Sequence, residues 1–350
     1  MKTRTFLQRQ GVRSAIVFRA LQLGDMLCAT PAFRALRAAL PEARIVLAGL
    51  PDMAQFAQRF PSYLDGFIAF PGHPLLPGQT ARPEELPGFY AGIREQGFDL
   101  ALQWHDGGEV SNHIVAGFGA RAMAGFTRGE TAGTSRTLLL PFPASGSESE
   151  RLLQLCEHLG APAVGRRLEF PLLPGDAEEL EASRVASGLV PGNFICIHPG
   201  ASTDEQCWPP ERFARVADQL HAEFGLSTVL TGWAGDAPMV RTVADHMRSP
   251  AIEAAAPISN GAMAALMSRS RLLVCSDTGV SHIAAGLGLS SVVVSGKADI
   301  ARWAPPDRLR HRCIWDPAAE RWAVVLEHAR ALLAGTAPSG QRAAGMWPYW

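Results

Sequence analysis

Short runs of apolar, often β-branched residues alternate along the chain with longer stretches in which apolar positions return every three to four residues. The runs suit buried parallel strands and the longer stretches suit amphipathic helices, so the pattern predicts crossover βαβ units and an α/β fold. The opening unit is a strand at Ala15 to Phe18, a glycine-containing turn at Gly24-Asp25, and a helix carried by Phe33, Leu36 and Leu40. Thr30-Pro31 suits the start of that helix's main segment and Pro41 its end. Arg44 to Ala48 and Asp99 to Gln103 read as further strands. Between them, Phe70 to Gly88 is rich in proline and glycine and predicts a surface loop of unusual length, the kind that often forms a binding wall.

A polar stretch, Pro141 to Glu150, precedes a helical pattern at Arg151 to Leu159, and the proline-rich Phe170 to Gly175 after it is the expected domain boundary. A second α/β series then begins. Its strands are expected at Phe194 to Ile197, Ser227 to Leu230, Arg271 to Cys275 and Ser291 to Val294. Helices are expected at Pro210 to Phe224, Pro238 to Met247 and from about Ser281. A last helical pattern, Ala318 to Leu333, is followed by a Gly/Pro/Trp-containing tail. The organisation expected is therefore a first domain over 1–172, a second over 173–317, and a closing helix and tail over 318–350.

Composition agrees with two domains. The chain has 350 residues, 47% of them hydrophobic, and single cores stop growing at roughly 250 to 300 residues. The net charge of −1 provides no basic field to hold a nucleic-acid backbone, which excludes nucleic acid as a partner. Arg19 stops the apolar run Ala15 to Phe18, which is too short for a signal peptide, and no uncharged stretch approaches the ~18 residues of a membrane span. The cytoplasm is the expected location. The 6 cysteines include no C-x-x-C pair and several lie inside strand-like runs, so they read as reduced core residues.

Three stretches lie where strands give way to helices, the place where open parallel sheets bind ligands. In Arg19-Ala20-Leu21-Gln22-Leu23-Gly24-Asp25, the Asp25 carboxylate either accepts a proton from an incoming hydroxyl or caps the following helix. His198-Pro199-Gly200-Ala201-Ser202 leaves backbone N–H groups open to phosphate oxygens, with Ser202 as a further donor, or is simply a turn. In Ser276-Asp277-Thr278-Gly279-Val280-Ser281-His282, the Thr278 and Gly279 N–H groups form an anion site at a helix N-terminus, or the cluster is an ordinary cap with His282 packed in the core. Asp236, in Thr231-Gly232-Trp233-Ala234-Gly235-Asp236, is either a ribose or base contact or a solvated first-turn acid. The chain carries no Walker motif, no G-x-S-x-G elbow, and no G-x-G-x-x-G opening the first unit, which removes most of the case for nucleotide hydrolase and dinucleotide oxidoreductase functions.

In order along the chain, these stretches resemble glycosyltransferase family 9, the family of lipopolysaccharide heptosyltransferases. The resemblance is carried by Leu23-Gly24-Asp25-Met26-Leu27 with Thr30-Pro31-Ala32-Phe33-Arg34-Ala35-Leu36-Arg37, by His198-Pro199-Gly200-Ala201-Ser202, by Trp208-Pro209-Pro210-Glu211-Arg212-Phe213, by Asp277-Thr278-Gly279-Val280-Ser281-His282, and by Arg302-Trp303-Ala304-Pro305. It spans about Ser14 to Leu333. The resemblance implies a GT-B fold of two Rossmann-like domains facing a central cleft, with the last helix packing back on the first domain. It implies inverting, metal-independent transfer from an ADP-sugar, ADP-heptose above all, to a saccharide or lipid-linked acceptor, with peripheral contact at the inner membrane where the acceptor is lipid-linked. Asp25 is then the base, and Gly24 leaves room at the bond being made. Thr278, Gly279 and Ser202 hold the diphosphate, Asp277 orients their loop, and Asp236 approaches the ribose or adenine.

One departure stands out. Family members carry Lys or Arg just before the Trp-Pro pair, where this chain has Asp204-Glu205-Gln206-Cys207-Trp208. Losing that charge-assisted contact removes on the order of 2 to 4 kcal/mol of transition-state stabilisation unless Arg19 or Lys297 replaces it. Two other functions therefore stay open: a sugar-nucleotide-binding protein without transfer, and a GT-B-like sugar-nucleotide epimerase or hydrolase.

Overall fold

The computed structural model describes residues 4–129, 133–200, 207–297 and 299–335. The chain divides into two compact units, Met1–Leu168 and Glu169–Trp350, the division falling just before the expected boundary.

In the first unit the strands are β1 (Ser14–Phe18), β2 (Arg44–Gly49), β3 (Gly66–Ala69), β4 (Leu100–Gln103), β5 (Ala122–Thr127) and β6 (Thr137–Pro141). The helices are α1 (Phe6–Gln10), α2 (Leu23–Cys28), α3 (Thr30–Ala39), α4 (Ala54–Arg59), α5 (Leu86–Glu95), α6 (Ser111–Ala116) and α7 (Glu148–Leu159). The strands form one parallel sheet in the order β3-β2-β1-β4-β5-β6, with Ala15 of β1 opposite Ile45 on one side and Leu100 on the other. A core of Ile16, Phe18, Val46, Ala101, Phe70 and Phe118 packs on it. The second unit contains α8 (Pro174–Ser183), β7 (Phe194–His198), α9 (Pro210–Phe224), β8 (Ser227–Gly232), α10 (Ala237–His246), β9 (Ala251–Ala255), α11 (Asn260–Ser268), β10 (Leu273–Ser276), α12 (Gly279–Leu287), β11 (Ser291–Ser295), α13 (Ile300–Trp303), β12 (His311–Trp315) and α14 (Trp322–Gly335). Its parallel sheet runs β12-β11-β10-β7-β8-β9.

Both sheets are doubly wound, and strand order reverses between β1 and β4 in one and between β7 and β10 in the other. Helices leave on opposite faces at such a switch point, which opens a crevice outside the carboxyl ends of the two central strands. The loops after β1, β4, β7 and β10 are thus the ones the fold offers to ligands.

Several expectations shift. Gly24 and Asp25 lie in the first turn of α2 rather than in a turn before a single long helix. Thr30 is the first residue of α3 and does not cap it, its hydroxyl donating instead to the Leu27 carbonyl at 2.9 Å. The long loop ends early, because Leu86-Pro87-Gly88 already belongs to α5. The helix expected at Arg151 starts at Glu148, where Ser147 and Glu150 form a capping box. The closing helix, expected to return to the first domain, places Val325, Leu326, Ala329 and Leu333 in the second unit's core against α9, β11 and β12. Burial of that apolar stripe makes α14 part of this unit.

Candidate active site

In the first unit the site begins where β1 ends. Arg19 is completely buried and its fork is fully used. Nε and Nη2 donate to the Asp25 carbonyl at 3.2 and 2.9 Å, Nη1 donates to the Trp104 carbonyl, and both terminal nitrogens reach Glu148 Oε1 at 3.2 Å. Glu148, itself buried at the head of α7, also meets Arg151 at 3.5 Å. One guanidinium thus ties the turn of α2 that carries Asp25 to the end of β4 and to α7. The Asp25 residue is half-buried, and Gly24 before it is buried. A carboxylate in a first helical turn is favoured as the anion by the helix dipole.

The next residue, Ala20, ties two more groups to the same place. Its N–H donates to His105 Nδ1 at 3.3 Å, and its carbonyl accepts from Gln79 Nε2 at 2.8 Å. Burial lowers the His105 pKa to about 4; Arg19 adds to the effect, while Asp106 and Glu148 oppose it. The ring is therefore neutral near pH 7. Gln79 belongs to a loop whose neck is closed by the Arg82 N–H donating to the Pro71 carbonyl at 2.9 Å. Gly72 sits in that neck at φ +81°, where an added Cβ would lie 2.6 Å from the Thr80 carbonyl oxygen.

In the second unit, Ser276 at the end of β10 joins two motif loops. Its hydroxyl donates to the Pro199 carbonyl at 2.9 Å and accepts the Trp208 N–H at 3.2 Å. The chain therefore leaves the end of β7 and returns to α9 beside a single hydroxyl, next to Asp277-Thr278-Gly279. Ser202 and the segment Asp204-Glu205-Gln206 lie outside the described residues. The Trp208 indole donates to Asp316 at 3.0 Å, and Asp316 also accepts the N–H groups of Glu320 and Arg321 at 2.9 and 3.0 Å.

Thr278 is the N-cap of α12 and makes no side-chain capping bond, so Gly279 heads a helix whose first N–H groups are open to an anion. Gly286 lets α12 lie close to the chain at Glu169-Phe170, where a Cβ would meet the Phe170 nitrogen at 2.7 Å. Asp236 is partly exposed, with 23% of its side chain open to solvent. Its carboxylate accepts the Trp233 N–H at 2.9 Å; an added Cβ on Gly200 would lie 2.6 Å from that carboxylate, and one on Gly232 2.8 Å from the Asp236 Cβ. His198, fully buried and pushed down to about 3 by burial, lies behind it with Nε2 4.0 Å from Asp236 Oδ2. Lys297 is exposed just beyond the end of β11.

Asp236, Asp277, Thr278, Gly279 and Lys297 thus lie just beyond the carboxyl ends of β8, β10 and β11 of one sheet. His282 does not project into that group: Nε2 bonds the Trp303 carbonyl at 2.9 Å and Nδ1 meets Ser281 Oγ at 3.3 Å. It fixes α12 against α13, and Arg19, held by Asp25, Trp104 and Glu148, is no substitute for the missing cation. Sequence reading overlooked Glu148, His105, Gln79 and Ser276 as site residues. Glu148 had a local signal in the Ser147 to Glu150 capping box that starts its helix, and Ser276 in the motif that it opens; His105 and Gln79 had none.

Two doubly wound parallel units with their motif loops at the switch points define a GT-B-type α/β protein. The sequence profile of glycosyltransferase family 9 (heptosyltransferase) matches residues 91–323, and the chain belongs to that family. Lipopolysaccharide heptosyltransferase 3 of Escherichia coli is 26% identical over 174 residues, which cover 49% of this chain and 50% of that protein. The chain thus spans about half the length of this curated relative. A family 9 glycosyl transferase from Veillonella parvula superposes with a TM-score of 0.77 at 20% identity, covering 96% of this chain and 99% of the other. The E. coli ADP-heptose lipopolysaccharide heptosyltransferase II superposes at 0.71 and 20% identity, covering 92% and 98%. Among the described residues no helix is long and apolar enough to cross a membrane, and no group of three or more His, Cys, Asp or Glu side chains is arranged to hold a metal.

Proposed function

We propose that this chain is an inverting heptosyltransferase that moves heptose from ADP-heptose to a saccharide of the lipopolysaccharide core. The observation that carries this reading is the clamp on Asp25: a buried arginine fixes the backbone of a half-exposed carboxylate at a sheet switch point. The acceptor hydroxyl loses its proton to Asp25 as its oxygen attacks the anomeric carbon, and the bond to ADP breaks on the opposite face. Negative charge then grows on the leaving diphosphate. The N–H groups of Thr278 and Gly279, at the positive end of α12, and the exposed Lys297 ammonium receive it, with Ser202 as a further donor. Gly24, without a side chain, leaves room beside the new bond. Asp277 holds the loop, and Asp236 lies beside the ribose or adenine. The reaction needs no metal in this scheme. It belongs in the cytoplasm, with peripheral contact at the inner membrane when the acceptor is lipid-linked.

Asp25→Ala tests the assignment. Its affinity for ADP should stay within about twofold of the parent by calorimetry, while transfer from ADP-heptose falls at least about a thousandfold, within the range of general-base losses combined with lost orientation. Undiminished turnover would remove Asp25 as the base. The Gln206-Cys207 pair, where relatives carry a cation, favours a second reading, nucleotide-sugar binding without transfer. Tight ADP binding with no transfer to any core acceptor would select it.

A further inference from the structure

We propose that His105 and Gln79 form the subsite that grips a hydroxyl of the acceptor saccharide, an inference that rests on the transferase reading and extends it to acceptor recognition. Both side chains are fixed on the backbone of one residue, Ala20. The Ala20 N–H occupies His105 Nδ1 and the Ala20 carbonyl occupies Gln79 Nε2, at 3.3 and 2.8 Å. That arrangement determines what each has left. With Nδ1 accepting, the neutral imidazole carries its proton on Nε2 and presents a donor. With one Nε2 hydrogen donated to Ala20, Gln79 keeps its second N–H and Oε1, a buried acceptor that has no partner among the described residues. A sugar hydroxyl is both acceptor and donor, and this pair offers it one bond of each kind.

The position is also right for an acceptor. Arg19 Nη1 bonds the carbonyl of Trp104, the residue before His105, while the same guanidinium holds the carbonyl of Asp25. Base and subsite are therefore braced by adjacent residues at the end of β1. His105 is kept in place by its ring, 5.3 Å from the Phe18 ring, and Gln79 by the closed neck of its loop and by Leu76, which is buried in the core of the unit. An orphaned buried carbonyl oxygen is costly to leave unmade, and a bound hydroxyl would satisfy it. Because the imidazole is neutral, it donates without adding a positive charge that would weaken the nearby base.

The test uses the full chain, ADP-heptose, and deacylated lipopolysaccharide core from E. coli lacking heptosyltransferase 3. Calorimetry on His105→Phe and Gln79→Ala should show core binding weakened at least tenfold, with ADP-heptose binding within twofold of the parent. His105→Asn, which can both accept from Ala20 and donate onward, should recover most of the loss. If the phenylalanine variant does not fold, His105→Ala carries the same expectation. Core affinity unchanged in these variants, with the parent active in transfer, overturns the subsite and leaves the transferase reading standing. A parent that neither binds nor glycosylates the core overturns both.

Discussion

Arg19 is the residue on which most of the first site depends. Its charge is removed from water entirely, and Glu148 compensates it within the same interior. Such a pair is a weak source of net stability but an expensive one to break, because Glu148 is left buried with the longer contact to Arg151, at 3.5 Å, to compensate it. Arg19→Met should lower unfolding free energy by about 3 to 5 kcal/mol in urea titration, and adding Glu148→Gln should return part of it. A double variant whose destabilisation equals the sum of the two single variants would show that the pair is not coupled. Arg19→Lys keeps the charge but lacks the planar fork that reaches three acceptors at once, so it should retain more stability than the methionine variant yet leave the Asp25 turn poorly fixed. The cysteines are simpler: none of the six, all among the described residues, is in a disulfide, and burial pushes the thiols of Cys28, Cys156, Cys196 and Cys275 upward, away from thiolate chemistry.

At the scale of elements, the second site is a meeting of strand ends, and Ser276 on β10 joins them. Ser276→Ala removes the hydroxyl between Pro199 and Trp208 and leaves a buried carbonyl and N–H unsatisfied. Stability should drop by about 1 to 3 kcal/mol, and ADP affinity should fall severalfold by thermal shift because the loop after β7 loses its register on α12. Unchanged ADP affinity would mean that the loop holds its place by other contacts. The motif loops were legible in the sequence because their signals are local: small residues, a proline or a cap between an apolar strand and a helical stripe. Strands β3, β5, β6, β9 and β12 were not. The four at the sheet edges are short and largely half-buried, and interior β5 carries the small residues Ala122, Ala124 and Gly125 and ends on Thr127, so none stands out as the β-branched run of β7 or β11 does. β6 even ends on Pro141, which an edge tolerates. The brace around Asp25 was equally hidden, since its partners lie 85 and 129 residues from Arg19 in sequence and no spacing rule reaches that far. His282, expected to face a ligand, shows the opposite limit: its motif was legible, but its hydrogen bonds to Trp303 and Ser281 depend on a fold the motif does not contain.

Across the whole molecule, three buried histidines link stability to pH. Burial lowers His105, His198 and His311 to about 4, 3 and 4, whereas the unfolded chain titrates near 6.5. Between those values the unfolded state binds more protons, so folding stability rises with pH through this window and is complete above about 6.5. Acidification from pH 6.5 to 5, where most carboxylates remain ionised, should lower Tm steadily, at a cost on the order of 1.4 kcal/mol per pH unit for each histidine. A flat Tm across that interval would contradict the neutral, buried assignment. The three lie in both units, so both should soften together on acidification.

The single hydroxyl that anchors both sides of residues 201–206 has an evolutionary consequence. Because Ser276 itself holds Pro199 and Trp208, substitutions in the letters between them should cost the strand ends little. On the proposed transferase reading, donor preference is free to drift through these letters while the strand ends on either side keep their positions.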